Sequence, residues 1–130
     1  MNLILDTDHC VAILRGRLKW QDRVTSDTSL LITAVTVGEL IFGATRSERL
    51  AENLALVNEL LEIVTILPFD TDAARRHGEL KDHLRRAGTP LADLDLQIAC
   101  IALIHALPLA THNTNHFNRI SGLHLVDWLV

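Results

Sequence analysis

The chain has 130 residues, a formal net charge of −4, 48% hydrophobic residues and two cysteines. That is the size of one domain, and a chain of this length buries roughly two-thirds of its unfolded surface. No apolar run approaches the ~20 residues a bilayer span requires, and the acidic balance excludes a basic coat that binds nucleic acid by bulk charge.

Leu3–Leu5 form a short apolar run with no basic stretch before it. This reads as a strand over Asn2–Leu5 and not as a leader, and the cytoplasm is the expected compartment. Asp8 is expected to cap a helix from His9 to Leu14, with a break at Arg15-Gly16-Arg17. A second short helix is expected over Leu18–Val24, and a second strand over Leu30–Thr33. Thr36 and Glu39 have the capping-box spacing. Val37, Leu40, Ile41 and Ala44 then share one helical face. Thr45 and Glu48 repeat that spacing ahead of a longer helix reaching Ile63. Its two stripes, Leu50-Leu54-Val57-Leu61 and Leu56-Leu60-Ile63, are wider than one core seam needs, so part of that face is expected to serve a partner.

Val64–Leu67 reads as a third strand, stopped by Pro68. Asp70 or Thr71 caps a helix to Ala87, ended by Gly88. Its outer face carries Arg75–Glu79 and Asp82–Arg86 pairs at i, i+4. Leu94–Ala106 is apolar almost all round and is expected to be a buried helix, ended before Pro108. Leu109–Thr111 and Leu123–Val126 complete five strands. Strands alternating with helices predict an α/β domain over residues 1–130, with a mostly parallel sheet covered on both faces. Cys10 and Cys100 each sit in an apolar pattern and read as buried free thiols. Two cysteines alone do not make a tetrahedral zinc site.

In such sheets, ligands bind beyond the carboxyl ends of the strands. Asp6 and Asp8 follow the first strand, and Thr36 and Glu39 the second. Thr111, His112 and Asn113 follow the fourth, and Asp93 and Asp95 open the helix leading into it. Capping accounts for Asp8 or Asp93, a helix dipole for Asp95, and the capping box for Glu39. It does not account for Asp6, which precedes the expected cap. Several acids at one edge repel unless a cation sits among them. Oxygen donors without thiolates suit Mg²⁺ or Mn²⁺, which fits phosphodiester hydrolysis and lets an acidic protein take an acidic polymer. His9, His112 and His116 are possible ligands, although a lone histidine in such a loop is more often structural.

Four segments, LILDTDHC, ITAVTVGELIFGA, GTPLADLDLQIACIAL and LATHNTNHFNRISGLHLVDW, together resemble the PIN-domain ribonucleases, and more narrowly the VapC toxins of toxin–antitoxin pairs. The resemblance spans nearly the whole chain. It implies a three-layer α/β/α fold and a Mg²⁺- or Mn²⁺-dependent endoribonuclease, typically a homodimer, restrained by a small VapB-like antitoxin. It implies Asp6, Glu39 and Asp95 as metal-holding carboxylates, with Asp93 as cap or support. Asn113 falls at the fourth family position, where Asp is common. The amide carries one charge fewer, which counts against a tightly bound second metal, but it can still hydrogen-bond a water in the site. Thr7 and Thr111 would orient the ligands, and Asp8 would add to the site or cap the helix. Arg15, Arg17, Lys19 and Arg23, with Trp20 among them, are candidates to touch RNA.

Other readings compete. A haloacid-dehalogenase-like phosphatase would begin with the same acid pair, using the first Asp as a nucleophile. It and a phospho-receiver both want a lysine at a strand end. Lys19 and Lys81 are the only lysines, and Lys81 falls mid-helix. A catalytically weakened PIN domain acting as a binding module is the stronger alternative.

Overall fold

The computed structural model describes residues 1–130. Five parallel strands, β1 (Asn2–Leu5), β2 (Ser29–Thr33), β3 (Thr65–Leu67), β4 (Leu109–Ala110) and β5 (Leu125–Val126), form one sheet in the order β3-β2-β1-β4-β5. The chain builds outward from β1 to β3, then crosses to the other side of β1 for β4 and β5. The order therefore reverses between β1 and β4, and this is the crevice where a doubly wound sheet receives ligands.

Residue alternation along the strands divides the core in two. Leu3, Leu5, Leu30, Ile32 and Ala110 face one side. There they meet α1 (Thr7–Leu14), α2 (Ala34–Thr45) and α3 (Leu50–Ile63) through Cys10, Leu40, Ala44, Val57 and Leu60. Ile4, Leu31 and Leu109 face the other side. There they meet α4 (Thr71–Arg86), α5 (Asp93–His105) and the short α6 (Thr114–Phe117) through Leu84, Ile98, Ala102 and Phe117. This is the three-layer α/β/α arrangement expected, and both cysteines are buried and free.

Several helix starts differ from expectation. The Leu18–Val24 segment is only a 3₁₀ turn at Trp20–Arg23. The second capping-box pattern opens no helix, because Thr45 is the last residue of α2 and α3 starts at Leu50 without a side-chain cap. Ser47 instead donates to Ala44 O and accepts from Asn53, stitching the turn between the two helices. On α4, Asp70 caps as read, and Asp82 pairs with Arg86 and also Arg85, whereas Arg75 and Glu79 form no pair. In α3, Val57 and Leu60 enter the core, whereas Leu50, Leu56 and Ile63 stay exposed.

α5 is closed by its C-cap, Ala106, whose φ of 52° is left-handed. An alanine there pays a steric penalty that glycine avoids. Ala106→Gly is expected to stabilise the protein by about 0.5–1 kcal/mol after the loss of unfolded-state restriction is counted. Urea denaturation measures it, and a destabilised variant would mean that the Ala106 methyl packs usefully.

Candidate active site

Asp6 is the first residue beyond β1, and its N–H donates to Ala110 O of β4 at 2.9 Å, so it sits at the crevice between the two strands. Its extended backbone makes it the N-cap of α1. The expectation that Asp8 caps this helix is therefore corrected. The strand runs straight into the helix, and the first carboxylate on that path takes the cap. Asp6 Oδ1 accepts from Thr7 N at 2.8 Å and Oδ2 from the Thr111 hydroxyl at 2.7 Å. The residue is 5% exposed. Burial, with the negative charges of Asp8 and Asp95, pushes its pKa up to about 6 against the lowering effect of those hydrogen bonds.

Asp8 lies in the first turn of α1. Its Oδ1 accepts from His9 Nδ1 at 2.7 Å and its Oδ2 from His112 N at 2.9 Å. Burial raises its pKa, but the bonds from His9 and His112 outweigh that and leave it lowered. Both oxygens are committed within the chain, so Asp8 serves as a tie between α1 and the loop after β4.

Glu39 is also freed from its expected cap. α2 begins at Ala34, capped by Thr33, whose hydroxyl accepts from Thr36 N at 3.1 Å. Thr36 is thus inside the first turn, and Glu39 lies one turn further on, beyond reach of the helix start. Its Oε1 accepts from the Thr7 hydroxyl at 2.6 Å, and that hydroxyl lies 3.1 Å from the Thr36 hydroxyl. Thr7 thereby couples α1 to α2, as Thr111 couples β4 to Asp6.

Asp95 and Asp93 divide sharply. α5 is capped by the backbone of Ala92, so Asp93 is not the cap. Asp93 turns outward to Lys81 at 2.8 Å, with His77 at 3.4 Å, and the Lys81 bond holds its pKa down. Asp95 is half-buried, and its carboxylate makes no hydrogen bond or ion pair within the chain. Burial and the negative charge of Glu39 raise its pKa. Asp6, Asp8, Glu39 and Asp95 therefore share one electrostatic neighbourhood, although they come from separate elements. Asn113 stands at the start of α6, its N–H on the Thr111 hydroxyl at 3.0 Å and its carboxamide unpaired within the chain.

No three His, Cys, Asp or Glu side chains close into a ready-made metal cage. The donor set is one buried and two half-buried carboxylates with a nearby amide. Such an open, all-oxygen set fits Mg²⁺, which keeps several waters and uses one or two carboxylates. It does not fit zinc. His9 is fully buried and engaged on both ring nitrogens, which removes it as a ligand. His112 is engaged by Asp127 at 2.9 Å. Asp127 and Trp128, which hold these histidines, were not singled out from the sequence. The only signal for them was their place in the last family-like segment.

The PIN-domain family model matches residues 3–123. The chain belongs to the PIN-domain family. This PIN domain is 33% identical to the tRNA(fMet)-specific endonuclease VapC of Salmonella typhimurium, with 98% of each chain covered. It is 28% identical to the ribonuclease VapC2 of Haemophilus influenzae, with 99% of each covered. Its fold superposes on VapBC from Salmonella typhimurium bound to DNA with a TM-score of 0.91, 31% identity and 98% coverage of both chains. On VapBC2 from Rickettsia felis bound to a promoter fragment, the TM-score is also 0.91, with 25% identity and coverage of 98% and 99%.

Beside the carboxylates, this PIN domain has a cavity of about 750 Å³ between α1, α2, α3 and the start of α5. Glu39 and Thr7 lie at one side of it, and Phe42, Leu56 and Leu94 line it while 67%, 40% and 48% exposed. Arg15 also lines it, at the C-terminal end of α1, roughly 14 Å along the helix from Asp6. Arg17 and Lys19 are exposed and form no ion pair. Trp20 packs half-buried against the core. No helix is long and apolar enough to cross a membrane.

Proposed function

We propose that this PIN domain is a Mg²⁺- or Mn²⁺-dependent endoribonuclease, the toxin of a toxin–antitoxin pair, restrained by a VapB-like antitoxin and active as a homodimer. The observation that supports the reading is a chain of like charges beside the β1–β4 crevice, with Asp95 acting on the buried Asp6 and Glu39 on Asp95, which helps push Asp6 and Asp95 up in pKa. Mutually repelling carboxylates held half-dry are costly without a cation. The full-length likeness to proteins named as ribonucleases and to toxin–antitoxin complexes supports it. The only two lysines are the exposed Lys19 and Lys81, the latter paired with Asp93, which leaves the phosphatase alternative without its strand-end lysine.

Asp6, Asp95 and Glu39 would hold the ion. Bound there, a divalent metal neutralises the phosphate, lowers the pKa of an attacking water and stabilises the leaving oxygen. The chain's own groups set the geometry. Thr7 fixes one oxygen of Glu39 and leaves the other open. Thr111 and the Thr7 N–H each take one lone pair of Asp6 and leave the remaining ones for the ion. The Asn113 carboxamide is free to orient a water or a phosphate oxygen. Arg15, Arg17 and Lys19 offer phosphate contacts at the rim. The apolar cavity beside Glu39, with exposed Phe42, Leu56 and Leu94, suits a segment of the antitoxin.

Purified protein is expected to cleave RNA with Mn²⁺ and to stop when the metal is chelated, with transfer RNA as the first substrate to try. Absence of cleavage, together with undiminished cellular toxicity of Asp6→Ala, would favour the binding-module alternative. Glu39→Gln is expected to weaken Mn²⁺ binding about tenfold or more, about 1.4 kcal/mol, with little change in melting temperature because Glu39 caps nothing. Titration calorimetry beside a thermal melt separates the two effects. A large stability loss with normal metal binding would make Glu39 a structural residue.

A further inference from the structure

The hydrogen bonds around Asp8 close into a ring. Asp8 Oδ1 accepts from His9 Nδ1 at 2.7 Å. The other nitrogen of that imidazole, Nε2, accepts from the backbone N–H of Trp128 at 3.0 Å. Because Nε2 accepts, Nδ1 is the nitrogen that carries the donated proton. One residue back along the chain, Asp127 Oδ2 pairs with His112 Nδ1 at 2.9 Å, while its Oδ1 accepts from Leu129 N at 2.8 Å. The N–H of His112 then returns to Asp8 Oδ2 at 2.9 Å. The circuit begins and ends on the two oxygens of one carboxylate. It joins three segments distant in sequence: the first turn of α1, the loop after β4 and the stretch after β5.

Neither His9 nor Asp127 bonds to Asp6, Glu39 or Asp95. They bracket the residues that do meet the site. His112 lies between Thr111, the donor to Asp6, and Asn113. The sheet alone holds this loop weakly, since β4 pairs over only two residues with β1 and two with β5, and β5 is an edge strand. A short edge ladder frays readily unless something ties it down. The fully buried His9 supplies that tie from α1.

We infer that His9 and Asp127 are positioning residues: His9 acting through Asp8, and Asp127 directly on His112, clamp the Thr111–Asn113 loop against Asp6 and so set the stance of Asn113 and the Thr111 hydroxyl toward the metal-holding carboxylates. The inference rests on the nuclease reading for its kinetic consequence, but the clamp itself is independent of it.

Full-length His9→Asn, Asp127→Ala and their double variant test it. An asparagine overlays the Nδ1 side of the imidazole, so it keeps a donor to Asp8 and cuts only the link to Trp128. Each single variant is expected to keep a cooperative melt and a KM for RNA within about threefold, with kcat at saturating Mn²⁺ falling about 10- to 100-fold. Amide exchange at His112 and Asn113 should quicken in both. A ring opens only once, so the double variant should lose no more than the worse single one. Asp127→Asn, which keeps one oxygen for His112, should recover much of the loss. The inference is overturned if kcat stays within about twofold in both singles, if the losses multiply, or if kcat merely follows the folded fraction with exchange at Asn113 unchanged. If the unmodified protein cleaves no RNA, the nuclease reading fails. Exchange at Asn113 and Mn²⁺ affinity in the variants then decide the clamp alone.

Discussion

Asp6→Asn is expected to reduce RNA cleavage at least about a thousandfold, the loss of about 4 kcal/mol of transition-state stabilisation, while making the metal-free protein more stable at neutral pH. Both effects come from the same burial. Asparagine keeps the cap on α1 and can hold Thr111, but it carries no charge. In the folded parent, the Asp6 pKa is raised from 3.8 to about 6, chiefly by desolvation. The sign follows from linkage: the folded state disfavours the ionised form, so the associated stability is fully present below pH 3.8 and lost as pH rises through about 6. The full gap corresponds to about 3 kcal/mol. The variant should therefore melt above its parent at pH 7 without metal, and the difference should shrink to nothing near pH 4. Added Mn²⁺ should reverse the ranking, because only the parent gains from binding. Retained cleavage by Asp6→Asn would remove Asp6 from the site, and an unchanged pH profile would show that its carboxylate is compensated in the fold.

Phe117→Ala should be the costliest core substitution, about 3–5 kcal/mol. Phe117 is among the largest fully buried side chains. It packs with Ile4, Leu109 and Ile98 beneath the switch point. It is also the last residue of α6, whose first turn follows Asn113. Removing the ring empties the core directly below the loop that carries Thr111 and Asn113. Against a total stability of about 5–15 kcal/mol, a loss of this size leaves the domain marginal, and urea denaturation should show the midpoint falling accordingly. Cleavage at a temperature where the variant is still folded should fall as well, because the loop loses its floor. A loss below about 1 kcal/mol would mean that neighbouring side chains collapse into the space.

The architecture was legible in the sequence because its signals are local and periodic. Leu3–Leu5 and Leu30–Thr33 are runs that only a doubly covered strand tolerates. Asp70 and Gly88 bound α4 by chemistry that acts within one helical turn. The carboxylates were legible too, since a strand end followed by an acid places that acid at the sheet edge whatever the packing. The family-like segments point to Asp6, Glu39 and Asp95 by their position, and in the fold the charge of Asp95 acts on Asp6 and that of Glu39 on Asp95.

Helix caps and pairings were not legible to the same degree. Asp6 and Asp8 are both good caps, as are Thr33 and Thr36, and local propensity does not choose between neighbours two or three residues apart. The choice falls to the point where the strand hands its backbone to the helix, a property of the sheet. Asp93 and Asp95 likewise look alike in sequence. Only the packing of α4 against α5 gives Asp93 to Lys81 and leaves Asp95 facing Glu39.

The strands, the two-sided apolar pattern and the acids at the strand ends were readable from the chain alone, because each depends on residues near one another. The tertiary structure decided which acid caps, which pairs and which stays open, because those outcomes depend on Thr7 meeting Glu39, Thr111 meeting Asp6 and Trp128 meeting His9 across 32, 105 and 119 residues of chain. Contacts at such separations leave no periodic trace in the sequence and exist only once the sheet has brought their strand ends together.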